Sequence, residues 1–175
     1  FDSNNITPGT KFMDYLTKYI DWYIRKKVHE DEEWKNIEII FSNEKAPGEG
    51  EHKIINYIRF YGKKEDTYCI HGLDADLIML ALGTHLPNFY ILREDLYDAA
   101  NDFFCVDIGK IHGKLGDIMK WESDKFEFSY RSSIDDFIFM CFMVGNDFLP
   151  HIPSIEIIED GIELMINIYK QVCSS

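Results

Sequence analysis

Apolar residues recur along the chain with two different periods, and the periods alternate. Between Thr10 and the cations Arg25, Lys26 and Lys27, the residues Phe12, Leu16, Ile20, Tyr23 and Ile24 fall on one helical face. Thr10 predicts the N-cap of this helix, and the three cations suit the negative end of its dipole. Ile37-Glu38-Ile39-Ile40-Phe41 is short and β-rich and predicts a strand, followed by a polar loop over 42–50. A second helix, with Ile54, Ile55, Ile58 and Tyr61 inward, runs to Gly62. Thr67–His71 and Phe89–Leu92 predict strands on either side of a helix over Asp76–Leu82. Phe103–Val106 predicts another strand, and Ile108–Trp121 a helix weakened by its glycines. Ser133 is placed to cap an apolar helix through Val144, and Pro150 and Pro153 separate that helix from a last one over Ser154–Gln171. No repeat, low-complexity tract or Pro/Gly/Ser-rich linker interrupts the text, which reads as one folding unit. Strands alternating with helices predict an α/β fold, a mainly parallel sheet flanked by helices. Such sheets place ligands beyond the carboxyl ends of their strands.

Charge narrows the function classes. The 175 residues carry 31 Asp and Glu against 18 Lys and Arg, a formal charge of −13. Residues 1–40 hold six cations against eight acids, 41–100 six against ten, and 101–175 six against thirteen. A surface of this kind repels phosphate backbones, which excludes a simple electrostatic grip on nucleic acid. Clustered acids serve phosphates only by holding divalent cations. Cys69, Cys105, Cys141 and Cys173 form no Cys-x-x-Cys pair, and no histidine spacing completes a zinc site. They read as reduced thiols of an intracellular protein. The apolar stretch Phe137–Val144 is too short to span a bilayer, and no membrane partner is expected. Residue 1 is Phe rather than Met, and the sequence reads as a piece of a longer chain.

Three acidic clusters stand out. Glu49 and Glu51 lie in Pro47-Gly48-Glu49-Gly50-Glu51-His52-Lys53, where flanking glycines let backbone approach a ligand and where, equally, a helix start favours acids. Asp74 and Asp76 follow the strand ending at His71. In extended chain i and i+2 point the same way, so the two can share a metal, though Asp76 also suits an N-cap. Asp147, in Gly145-Asn146-Asp147-Phe148-Leu149-Pro150, ends an apolar helix where the dipole disfavours it, or belongs to a turn. Five carboxylates gathered at one sheet end repel by about 4 kcal/mol for each pair at ~4 Å. Divalent cations remove that penalty, and oxygen donors favour Mg²⁺ or Mn²⁺ over zinc. The residues therefore point to metal-dependent phosphoryl hydrolysis.

Four motifs carry a resemblance. Phe1-Asp2-Ser3-Asn4-Asn5-Ile6-Thr7-Pro8-Gly9-Thr10, Pro47-Gly48-Glu49-Gly50-Glu51-His52-Lys53-Ile54 and Gly72-Leu73-Asp74-Ala75-Asp76-Leu77-Ile78-Met79-Leu80 are three of them. The fourth runs from Asp135-Asp136-Phe137 to Gly145-Asn146-Asp147-Phe148-Leu149-Pro150-His151. In order and spacing they resemble the XRN family of 5′→3′ exoribonucleases over nearly the whole chain, least from Tyr97 to Arg131. The resemblance implies a PIN/flap-nuclease-like catalytic fold, with 1–175 as part of the N-terminal nuclease domain. It implies Mg²⁺ or Mn²⁺ held by Glu49, Glu51, Asp74, Asp76 and Asp147, and cleavage of RNA with a 5′-monophosphate to mononucleotides, as in mRNA decay. It further implies that other family acids and the basic 5′-phosphate pocket belong to an N-terminal segment of the same polypeptide, so that this chain alone is a weak or inactive nuclease. Whether its type is cytoplasmic or nuclear is left open, as is any role of Asp2 and Asn4.

Other features read more plainly. Most tyrosines and phenylalanines sit at core spacing rather than as base-stacking platforms. His52 and His71 read as structural, Lys53 as solvated or near phosphate, and Arg93 as close to the sheet end without an assigned role. The alternatives are a DNA flap nuclease, a haloacid-dehalogenase-like phosphatase and a non-catalytic interaction domain. Ile78 stands where the phosphatase needs Thr or Ser, and an interaction domain would have lost its carboxylates.

Overall fold

A computed structural model describes residues 2–95, 102–146 and 149–175. Where the sequence reads as one folding unit, the chain divides into two compact units, Phe1–Asn56 and Tyr57–Ser175.

The first unit is dominated by helix α1 (Lys11–Glu30), capped as expected by the Thr10 hydroxyl, which accepts from the Met13 N–H. Its charges pair along the helix: Lys18 with Asp14 at 2.6 Å, Arg25 with Asp21 at 2.9 Å and Lys27 with Asp31 at 2.8 Å. No residue of α1 is buried. Leu16, Ile20 and Ile24 are half-buried, but Phe12 and Tyr23 are exposed, so the predicted apolar face is only partly covered. Tyr15, Tyr19 and Trp22 are more than half exposed, against the expectation that the aromatics pack in the core. Ile37–Phe41 is irregular rather than a strand. β-branched residues make a strand only where a second backbone accepts their hydrogen bonds, and none among the described residues does so here. Loop 42–50 is instead tied to α1 by Thr17 donating to Glu44 and by Lys45 lying 3.1 Å from Asp14. Helix α2 (Gly50–Tyr61) begins in this unit; Ile55 and Ile58 are buried as predicted, whereas Ile54 and Tyr61 are exposed.

The second unit contains the sheet. Strand β1 (Tyr68–His71) pairs in parallel with β2 (Phe89–Glu94), which pairs antiparallel with β3 (Phe103–Asp107). The sheet is therefore mixed, not mainly parallel. A parallel neighbour for β2 would need a crossover of about a dozen residues, and 95–102 is too short for one. The Asp95 N–H donates to the Asp102 carbonyl at 3.0 Å, so the connection is closed as a hairpin.

Helix α3 (Asp76–Leu82) joins β1 to β2, and α4 (Ile108–Met119) follows β3 with Asp107 as its N-cap. Ile70, Phe89 and Ile91 are buried from the strands, with Leu77, Ala81, Leu82, Ile108 and Ile134 buried from the helices. Helix α5 (Tyr130–Met143) starts earlier than predicted, capped by Ser129. Ser133 is buried inside it, donating to the Tyr130 carbonyl at 2.9 Å. Helix α6 (Gly161–Cys173) starts later than predicted, because a short 3₁₀ turn and the left-handed Asp160 precede it. Met119, Met140 and Met165 join α4, α5 and α6 in one apolar cluster.

Candidate active site

Glu49, Glu51 and His52 are brought together where loop 42–50 enters α2. Gly48 has φ +94°, a conformation that L side chains rarely adopt, and it turns the chain into the helix. The Glu49 carbonyl accepts the first helical bond, from Lys53 N–H at 3.1 Å, which leaves both glutamates at the positive end of the helix dipole. One ligand atom from each of Glu49, Glu51 and His52 lies within 4.8 Å of the others, and His52 Nε2 is 3.6 Å from Glu49 Oε2. Oxygen ligands about 2.1 Å from a Mg²⁺ stand up to ~4.2 Å apart across it, which puts these groups near the outer edge of that reach. His52 thus lies beside the two acids at the start of α2. The half-buried Lys53 donates from its ammonium to the Asn43 carbonyl at 3.1 Å.

Asp74 and Asp76 leave the carboxyl end of β1, as the fold rule requires. Gly72 N–H still bonds Leu92 O of β2 at 3.1 Å, and the Arg93 guanidinium of β2 donates to the Leu73 carbonyl. Ala75 already has helical backbone (φ −72°, ψ −31°), and α3 begins at Asp76. The extended-chain argument for the two carboxylates therefore fails locally, since the chain is turning into a helix there. Asp76 is also not the N-cap; that place is held by Ala75, which makes no side-chain cap bond. Neither Asp74 nor Asp76 has a hydrogen-bond or ion-pair partner among the described residues.

The acids of the α5 motif divide differently. Asp135 accepts from the imidazole of His85 at 2.8 Å, and His85 Nδ1 faces His112 Nε2 at 3.2 Å. The His85 side chain is 6% exposed and its φ is +54°. His85 is thus engaged at both ring nitrogens, by Asp135 and by His112. Burial and the His85 ring hold the His112 pKa below the usual imidazole value. Asp136 accepts from the Tyr169 hydroxyl at 2.9 Å; burial, and this bond, push the phenol up to about 12. Asp135 and Asp136 thus lock α5 to its neighbours. The sequence reading missed the His85–His112–Asp135 chain and the Arg93 contact, because both join residues far apart in sequence. Asp147 lies outside the described residues. α5 ends at Met143, and of the described neighbours Leu149 N–H bonds the Asn146 side chain at 2.8 Å.

Comparison with known proteins agrees with the motifs. Residues 1–95 match the family profile described as XRN 5′-3′ exonuclease N-terminus, and residues 127–175 match the Xrn1 helical domain. The stretch between the two matches includes most of the part where the resemblance is weakest. The 5′-3′ exoribonuclease 2 of Gallus gallus is 38% identical over 98% of this chain and 23% of its own length. The 5′-3′ exoribonuclease 1 of Schizosaccharomyces pombe is 42% identical over 100% of the chain and 14% of itself; that of Saccharomyces cerevisiae is 38% identical over 98% and 12%. The chain thus spans less than a quarter of the length of these relatives. More than half of it is covered by the first profile alone, with the Gly-Glu-Gly-Glu-His and Gly-Leu-Asp-Ala-Asp segments inside the match, and the chain belongs to the XRN 5′-3′ exonuclease family.

Proposed function

We propose that the chain is part of the catalytic region of a 5′→3′ exoribonuclease that degrades 5′-monophosphorylated RNA to mononucleotides, with Glu49, Glu51, Asp74, Asp76 and Asp147 holding Mg²⁺ or Mn²⁺. The observation that carries this reading is the convergence of Glu49, Glu51 and His52 within the motif of a nuclease family. Its donor set, two carboxylates and an imidazole at the protein surface, fits a hard or borderline divalent cation. Bound there, such cations supply positive charge against the phosphodiester and its leaving oxygen. The chain's own groups orient and hold: the carboxylates by charge, and His52 by its place beside Glu49. The nuclease region takes in residues 1–175 on this reading, with a PIN/flap-nuclease-like fold, a reading supported by the match of residues 1–95 to the exonuclease N-terminus profile. The rest of the site, including a cationic 5′-phosphate pocket, comes from other parts of the polypeptide, which fits the −13 charge here. An RNA substrate and four free thiols favour the cytoplasm or nucleus.

The test is turnover of 5′-monophosphorylated RNA by the complete protein at fixed Mg²⁺, with a 5′ DNA flap as the competing substrate. Asp74→Asn, Asp76→Asn, Glu49→Gln and Glu51→Gln each keep size and remove charge, and each is expected to lower turnover by orders of magnitude. Near-normal turnover by a variant removes that residue from the site, and preference for the flap refutes the RNA assignment.

A further inference from the structure

Arg93 of β2 reaches the segment that leads into Asp74 and Asp76, and its partner there is not an acid. Its guanidinium donates to the Leu73 carbonyl, one residue before Asp74, and no carboxylate pairs with it among the described residues. The neighbouring Gly72 N–H is fixed by Leu92 of the same strand at 3.1 Å. Two successive residues ahead of Asp74 are thereby anchored to β2, one through backbone and one through Arg93. Past Leu73 neither carboxylate has a partner among the described residues; Asp76 is carried by α3, which the buried Leu77 and Ala81 hold, so the contacts of residues 72–73 bear on the exit of Asp74. A charge-assisted bond from a planar fork fixes both distance and direction, which an ammonium does less well.

We infer that Arg93 is a positioning residue for the metal-holding acids, acting through the Leu73 carbonyl to set the exit of Asp74 from the sheet. This rests on the proposed metal role of Asp74 and Asp76. Groups that orient metal ligands from behind change affinity by about 10–100-fold when removed. Arg93→Met keeps the apolar stem and removes every donor, whereas Arg93→Lys keeps the charge and one direction of donation.

The experiment is a Mn²⁺ titration of the complete protein, reading free ion by electron paramagnetic resonance well below the melting temperature. Wild type, Arg93→Met, Arg93→Lys and Asp74→Asn are compared, with circular dichroism as the check on folding. The expected result is about tenfold weaker Mn²⁺ binding in Arg93→Met, an intermediate value in Arg93→Lys and the largest loss in Asp74→Asn. Wild-type affinity in Arg93→Met, with loss in Asp74→Asn, overturns the inference and leaves the metal site standing. Equal binding by wild type and Asp74→Asn overturns the metal role itself. Should Arg93→Met fail to fold, Arg93→Lys decides alone: affinity equal to wild type overturns the inference, and a loss with unchanged circular dichroism supports it.

Discussion

In the first unit the acid cluster of Glu49, Glu51 and His52 sits on a surface loop and helix start, next to a helix with no buried residue whose charges pair along its own length. In the second unit Asp74 and Asp76 hang from a sheet whose Phe89 and Ile91 have no exposed surface. Acids of one proposed role are therefore supported in two ways. In one the supporting contacts are mostly exposed side-chain pairs, with Ile55 of α2 buried beneath; in the other they run through the packed sheet and cross-strand bonds. Exposed ion pairs contribute little, and buried apolar area contributes most of what a domain has. The difference teaches that damage to the packing of the sheet should reach the second pair of acids and largely spare the first.

The largest effect that would break this contrast comes from core truncation. Phe89→Ala and Ile91→Ala remove side chains that are fully buried, and each is expected to cost about 2–5 kcal/mol in denaturant melts. Tyr19→Ala, on the exposed flank of α1, is expected to change stability by less than about 0.5 kcal/mol. Comparable costs at Tyr19 and Phe89 would mean that α1 is held by packing after all.

A pair of glycines sharpens the comparison at smaller amplitude. A Cβ on Gly109, at the start of α4, would stand 2.3 Å from the Pro87 carbonyl, and backbone does not move aside cheaply. Gly109→Ala is expected to cost about 1–3 kcal/mol as an overpacked site. Gly50, in the first turn of α2, has nothing within 4 Å of its added Cβ. Gly50→Ala is expected to be neutral or stabilising by up to about 1 kcal/mol, by helix propensity. Equal losses in thermal melts of the two variants would contradict the tight and open settings assigned to them.

The same contrast explains what could be read from sequence. Thr10 as a cap, the strands predicted at Thr67–His71 and Phe89–Leu92, found at Tyr68–His71 and Phe89–Glu94, and the placement of Asp74 and Asp76 after a strand all depend on neighbouring residues. Ile37–Phe41 failed because a strand needs a partner that composition does not supply. The mixed sheet was legible in principle, since the length of 95–102 alone forbids a crossover. Ser129 rather than Ser133 caps α5, and Ser133 satisfies its hydroxyl within the helix, a choice among nearby hydroxyls that sequence pattern does not decide. The exposure of Tyr15, Tyr19 and Trp22 was not legible, because periodicity names a face without saying how fully it is covered. In the candidate site the acids came from motifs, whereas the Arg93 contact and the His85–His112–Asp135 chain are tertiary and carry no local signature.

The smallest expected effect separates the two units by pH. Lys18 and Lys45 hold the Asp14 carboxyl below its usual value of 3.8, and Lys27 does the same for Asp31. A depressed carboxylate stabilises the fold above its unfolded pKa, and the contribution is lost as pH falls from there through the folded pKa. For α1 the loss thus belongs below about pH 4, and because these pairs are fully exposed, half-molar salt should reduce it. His112 behaves oppositely in position. Its folded pKa lies below the usual 6.5, so as pH falls past 6.5 the unfolded chain takes a proton that the folded chain resists. Stability around α4 therefore declines from about pH 6.5 down to the folded value and is flat beneath it, with little response to salt for a partly buried ring. Amide hydrogen exchange, read peptide by peptide and corrected for intrinsic rates, distinguishes the two windows. Protection over 108–119 should fall between pH 6.5 and 5 while that over 11–30 holds, and His112→Gln should abolish the change in α4. A fall in α1 over the same interval, or an unchanged α4, would show that the division between a surface-paired first unit and a core-packed second unit does not govern their response to protons.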